Sequence, residues 1–86
     1  MVTVELYGVP RLRAGASRVE VPAGTLAAIL RALASALPGL APDIIDEGRL
    51  TEHALVAIDG REIVADPELG IADGAVLVLI SAAAGG

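Results

Sequence analysis

The chain contains no cysteine, no lysine, no phenylalanine and no tryptophan. Without a thiol, disulfides, thiolate nucleophiles and cysteine metal sites are excluded. Any sulfur chemistry here would have to use something other than a side-chain thiol. Without lysine there is no internal ammonium to form a Schiff base or accept an isopeptide bond; all six cations are arginine. Tyr7 is the whole aromatic complement, so the core must be built from Leu, Ile, Val and Ala. A net charge of -5 repels phosphate backbones, and there are no aromatic platforms for bases to stack on, which excludes a nucleic-acid partner. An acidic surface suits a basic face on a protein partner instead. The longest apolar stretch, Ala75 to Ala84 with Ser81 inside it, is about half the ~20 residues of a membrane span. The opening Met1-Val2-Thr3-Val4-Glu5 has no basic region followed by an apolar stretch, so no signal peptide is read. These absences lead us to expect a cytoplasmic protein with no membrane partner.

What remains is rich in aliphatic residues. Apolar side chains make up 55% of 86 residues, enough for one globular domain and no more. Val2, Val4 and Leu6 alternate with Thr3, Glu5 and Tyr7, which predicts a half-buried strand. Val19 and Val21 alternate with Arg18 and Glu20, predicting a second. Between them, Gly8, Pro10 and Gly15 suggest the loose loop of an antiparallel hairpin. Thr25 is a candidate helix N-cap, and Leu26, Ile29, Leu30, Leu33 and Leu37 follow at i, i+3, i+4, i+7 and i+11, all on one helical face. Pro38-Gly39 stops that helix. Residues 40–53 read as a loop with a short helical turn at Ile44 and Ile45. A third strand runs from Ala54 to Ile58, turns at Asp59-Gly60 and pairs with Arg61 to Val64. After a second tight turn at Asp73-Gly74, Ala75 to Ile80 form a last strand. It is apolar throughout, as a central strand is.

The order strand, strand, helix, strand, short strand, strand predicts an α+β β-grasp domain. In it a mixed sheet of four to five strands packs against one main helix, with a right-handed crossover placing a late strand parallel to the first. The domain is expected to span residues 1–81, followed by a flexible tail over residues 82–86. In that tail the side chains shrink to Ala82, Ala83, Ala84, Gly85 and Gly86. Glycine has no Cβ, so such a chain end can thread a narrow channel and reach another active site. The reactive group is then the carboxylate of Gly86 itself.

In this order, these segments resemble the MoaD/ThiS family of ubiquitin-like sulfur carriers. The resemblance rests on Val2 to Gly8, on the helix Thr25 to Leu37 with Pro38-Gly39-Leu40 after it, and on Val56 to Ile63. Ile71 to Gly74 and the terminal Gly85-Gly86 complete it. It implies a protein that catalyses nothing by itself and binds no cofactor. A ubiquitin-activating-type enzyme would use ATP to adenylate Gly86. A persulfide donor would displace AMP to leave a thiocarboxylate, and a second enzyme would take the sulfur. Ala82, Ala83, Ala84 and Gly85 would thread the activating enzyme. Length and the segment from Pro38 to His53 resemble the small subunit of molybdopterin synthase more than the shorter thiamin carrier. The implied acceptor is then the large subunit of that synthase, in molybdenum cofactor synthesis. Carriers for thiamin or cysteine synthesis, and a protein modifier joined to target lysines through Gly86, are the alternatives. The last strand and tail lack the aromatics and Pro that many family members carry there, and Asp59 stands where an Asn is frequent.

Other constellations read more plainly. Asp43, Asp46, Glu47, Glu52 and His53 match no metal-ligand spacing and are taken as a solvated acidic loop, so no metal is expected. Arg11, Arg13 and Arg18 around the first hairpin are read as solubilising. Leu77 and Leu79 are candidates for an apolar docking patch beside the tail.

Overall fold

A computed structural model of the chain describes residues 1–82. Strand β1 (Val2–Leu6) is followed by helix α1 (Gly8–Ala14), strand β2 (Arg18–Val21), the two-residue β3 (Gly24–Thr25) and helix α2 (Leu26–Ala36). A 3₁₀ turn at Pro38–Leu40 leads to the short strands β4 (Ile45–Asp46) and β5 (Arg49–Leu50). Then come β6 (Ala54–Ile58), β7 (Glu62–Val64), β8 (Gly70–Ile71) and β9 (Val76–Ser81). The main sheet has five strands in the order β2-β1-β9-β6-β7, with β1 and β9 parallel and the other neighbours antiparallel. Two small pairs, β3 with β8 and β4 with β5, fasten the connections. This is the β-grasp architecture, and the apolar last strand is its central one.

The core forms where strand alternation meets helical periodicity. Val2, Val4 and Leu6 of β1 face the same side as Val21, Val56, Leu77 and Leu79. Against them lie Leu26, Ile29, Leu30 and Leu33 of α2, all buried, with Leu37 packed at the margin. Helix α2 starts where expected, since Thr25 Oγ1 accepts a hydrogen bond from the Ala28 N–H at 3.1 Å. Segment 40–53 does more than connect. Leu40, Ile44 and Ile45 are buried and close the end of the core. Part of the helical turn expected at Ile44 and Ile45 is present, since the Ile44 N–H donates to the Leu40 carbonyl at 2.9 Å, but Ile45 already opens the β4–β5 hairpin. Its turn residues Glu47 and Gly48 both take positive φ, 51° and 77°, the geometry that matches the twist of a tight hairpin. Asp59 and Gly60 do the same between β6 and β7, at 51° and 68°.

The first hairpin departs from expectation. Residues 8–14 are not a loose loop but a helix, with Pro10 buried and Gly15 ending it at φ 70°. Proline in the first turn leaves no helical hydrogen bond unmade, because the first N–H groups have no intrahelical partner. At the far end of β1, the amino group of Met1 pairs with Asp73 and holds its carboxyl below the usual range. None of the described helices is long and apolar enough to cross a membrane.

Candidate functional site

The central strand β9 delivers the chain to residue 82, and this point is the root of the expected tail. Gly86, Gly85, Ala84 and Ala83 lie outside the described residues. Ala82 is described, and its N–H donates to the His53 carbonyl at 3.0 Å, one step beyond the Ala54–Ser81 pair of the β6–β9 ladder. On the other side, the Tyr7 N–H donates to the Leu79 carbonyl at 2.9 Å, just past the last β1–β9 pair.

Leu77 and Leu79 do not form a docking patch. Both are 0% exposed. The register of β9 on β1 and β6 points them at α2, and the strand's outward row is Val76, Val78 and Ile80, half-buried on the opposite face. The two rows lie on opposite faces because side chains of a strand alternate, so a one-residue shift is enough to exchange them.

Ser81 continues the inward row of Leu77 and Leu79 to the point where the row leaves the core. There its Oγ accepts a hydrogen bond from the Val9 N–H at 2.7 Å. Residue Tyr7, which flanks the start of α1, gives the helix no side-chain cap. Its hydroxyl is engaged with Glu5 Oε1 at 2.9 Å instead, and that bond together with the carboxylate's charge raises the phenol pKa. Ser81 therefore serves as the cap of α1 from 72 residues away. Gly8 packs directly on it: φ is +65°, and a Cβ at Gly8 would collide with Ser81 Oγ. In the sequence Ser81 is only the first residue after an apolar strand; because that strand is apolar throughout, no alternation says which face it takes, and the register does.

A groove of about 390 Å³ lies beside this root, lined by Val9, Arg13, Asp43, Ile44 and His53 together with Ser81 and Ala82. Across it Arg13 Nη1 and Asp43 Oδ2 form an ion pair at 2.6 Å, both about half exposed. Arg13 thus pairs within the chain; Arg18 stands opposite Glu5 in the β1–β2 ladder. His53 is exposed and offers the root its backbone. Thr51 fixes the loop behind it, donating its hydroxyl to the Asp43 carbonyl at 2.5 Å and accepting from the His53 N–H at 3.3 Å. Among the described residues no three His, Asp or Glu side chains come close enough together to hold a metal ion.

Solved structures with this arrangement identify the family. Over 99% of this chain and 98% of the other, the protein is 30% identical to SAMP1 from Haloferax volcanii, with a TM-score of 0.76. The chain belongs to the MoaD/ThiS family of ubiquitin-like sulfur carriers. A second family likeness is to the complex of BexX and CysO from Amycolatopsis orientalis. The match there is to CysO at 27% identity, over 100% of both chains, with a TM-score of 0.80. A molybdopterin-converting-factor subunit 1 candidate from Pyrococcus furiosus shares the fold, with a TM-score of 0.71 over 93% of this chain and 94% of the other at 19% identity. Neither a protein-family model nor a curated protein sequence matches the chain.

Proposed function

We propose that this family member is a sulfur carrier acting through the carboxylate of Gly86, with the folded body as the handle that partners grip. A carboxylate is a poor acyl donor, so the first step is its attack on the α-phosphorus of ATP in an activating enzyme, releasing pyrophosphate and leaving an acyl-adenylate. The outer sulfur of a persulfide then attacks the acyl carbon and AMP departs. Cleavage of the resulting S–S bond by a thiol leaves the thiocarboxylate on Gly86 and a disulfide on the donor. The chain needs no cysteine for any step and has none. The observation that carries this reading is the match along the whole of both chains to the sulfur carrier CysO. The match to CysO, in a complex with a second protein, supports a partner enzyme that accepts the sulfur.

For the destination of the sulfur we place molybdopterin synthase first, with this chain as its small subunit and the large subunit as acceptor. Its support is the resemblance of the sequence, the segment 38–53 included, together with the shared fold of the Pyrococcus protein. A second reading has a specific observation in its favour. A Haloferax volcanii protein 30% identical to this chain over 92% of it bears the name small archaeal modifier protein 1. In that reading Gly86 is joined to a lysine of another protein; a chain without lysine cannot itself be the acceptor side chain.

One experiment separates these. Incubated with ATP, a sulfur source and the activating enzyme of its source organism, the carrier gains the mass difference between sulfur and oxygen in intact-mass spectra. A modifier instead appears as covalent adducts on other proteins. Deleting Gly85 and Gly86 abolishes either product while leaving the melting temperature unchanged. A deletion variant that still supports sulfur transfer would end the proposal.

A further inference from the structure

We infer that Ser81 is a positioning residue that locks the root of the tail to helix α1 and so fixes the direction in which the chain leaves residue 82. The inference rests on the sulfur-carrier reading for its consequence and on geometry for its content. The root is held from two sides. The Ser81 hydroxyl accepts from the Val9 N–H at 2.7 Å, and the Ala82 N–H donates to the His53 carbonyl at 3.0 Å. The first contact ties the root to α1 and the second to the approach of β6. Gly8 presses on Ser81 with a backbone that leaves no room for a side chain. The hydroxyl stands where the inward row of β9 would otherwise continue with an aliphatic residue, so a core-facing position carries the polar contact. Holding a reactive group along one heading removes part of the ordering cost that its binding site would otherwise bear. A carboxylate a few residues beyond residue 82 gains from a fixed root in that way.

The plain alternative is that Ser81 only caps α1, adding stability and nothing else. A matched control separates the two, because Thr25 caps α2 in the same manner, through its own hydroxyl at 3.1 Å, with no contact to the root. Ser81→Ala and Thr25→Ala should lower the melting temperature by similar amounts. A chain without cysteine also accepts a single spin label, through Ala84→Cys. With the label in place, relaxation enhancement of backbone amides should be confined to the α1 and His53 side in the parent and spread over the body in Ser81→Ala. In ATP–pyrophosphate exchange with the activating enzyme, Ser81→Ala should raise KM for the carrier about five-fold with kcat unchanged, the signature of lost preorganisation. Thr25→Ala should leave KM alone, and Ser81→Thr, which keeps the hydroxyl, should restore it. Equal melting losses with unchanged KM and unchanged enhancement maps would overturn the inference and leave Ser81 a cap. A label map that spreads on Ser81→Ala, with no exchange even for the parent, would uphold the lock and reject the sulfur-carrier reading instead.

Discussion

The two helices of this protein are made in opposite ways. Helix α2 carries its instructions within its own residues: a capping threonine, apolar side chains along one face, and Pro38-Gly39 after its end. Helix α1 carries almost none. It has seven residues, one of them buried, no acidic residue in its first turn and no local cap. A segment this short does not hold a helix alone in water. Its start is capped by Ser81, its end is turned by Gly15, whose N–H donates to the Arg11 carbonyl at 3.0 Å, and its seat is the backbone at Gly39. One helix is thus built for the core, and the other is built by its neighbours, the tail root among them. Disturbing α1 therefore disturbs the root, whereas disturbing α2 disturbs the whole fold.

The largest effect that tests this contrast comes from Leu33→Ala in α2. Leu33 is 1% exposed, and removing its methyls should cost about 2–5 kcal/mol. For a domain of this size each kcal/mol moves the melting temperature by about 4–8 °C, readable by circular dichroism. Gly39→Ala comes next. A Cβ there would collide with the Arg13 carbonyl oxygen, a backbone atom that cannot swing aside, so α1 must shift on the 3₁₀ turn. The expected cost is about 1–3 kcal/mol, the range for overpacking. Amide hydrogen exchange should show where the cost falls, with the Gly15 and Leu40 amides quickening and the α2 amides remaining protected. If α2 loosens as much as α1, the two helices are not held separately and the contrast fails.

The same contrast explains what the sequence discloses. The main strands, the buried rows Val2–Val4–Leu6 and Leu26–Ile29–Leu30–Leu33, and the turns at Asp59-Gly60 and Asp73-Gly74 are legible because each rests on periodicity or on residues tolerant of positive φ. Helix α1 is not legible: Gly8 and Pro10 read as loop residues until Ser81, 72 residues downstream of Val9, is known to lie beside them. The hairpin at Ile45–Leu50 is hidden for a related reason. Ile44 and Ile45 are adjacent and both buried, a pair that a helical period also allows, as at Ile29 and Leu30, so it reads as a helical turn and not as the start of a strand. At the candidate site, alternation does not say which face Leu77 and Leu79 take, because residues 75–80 are apolar throughout; the register Val4↔Leu77 and Leu6↔Leu79 decides it, and only the fold supplies that register. The family likeness was carried by the order of segments, and Gly85-Gly86 only completes it.

The smallest effect sharpens the contrast most, because it isolates a contact that belongs to α1 alone. Arg13 and Asp43 pair at 2.6 Å with side chains 50% and 54% exposed, so water and salt screen them. Arg13→Ala should cost less than about 1 kcal/mol. That loss should nearly vanish in 1 M salt, where the screening length falls to about 3 Å. The loss from Leu33→Ala, being apolar burial and not charge pairing, should not shrink with salt. Global melting will barely register Arg13→Ala, but the amides of α1 should, because Arg13 lies on this helix. An Arg13→Ala variant whose α1 amides exchange at the parent's rate in low salt would mean that Ser81 and Gly39 alone hold the helix in place. The root of the tail would then be insulated from the groove beside it.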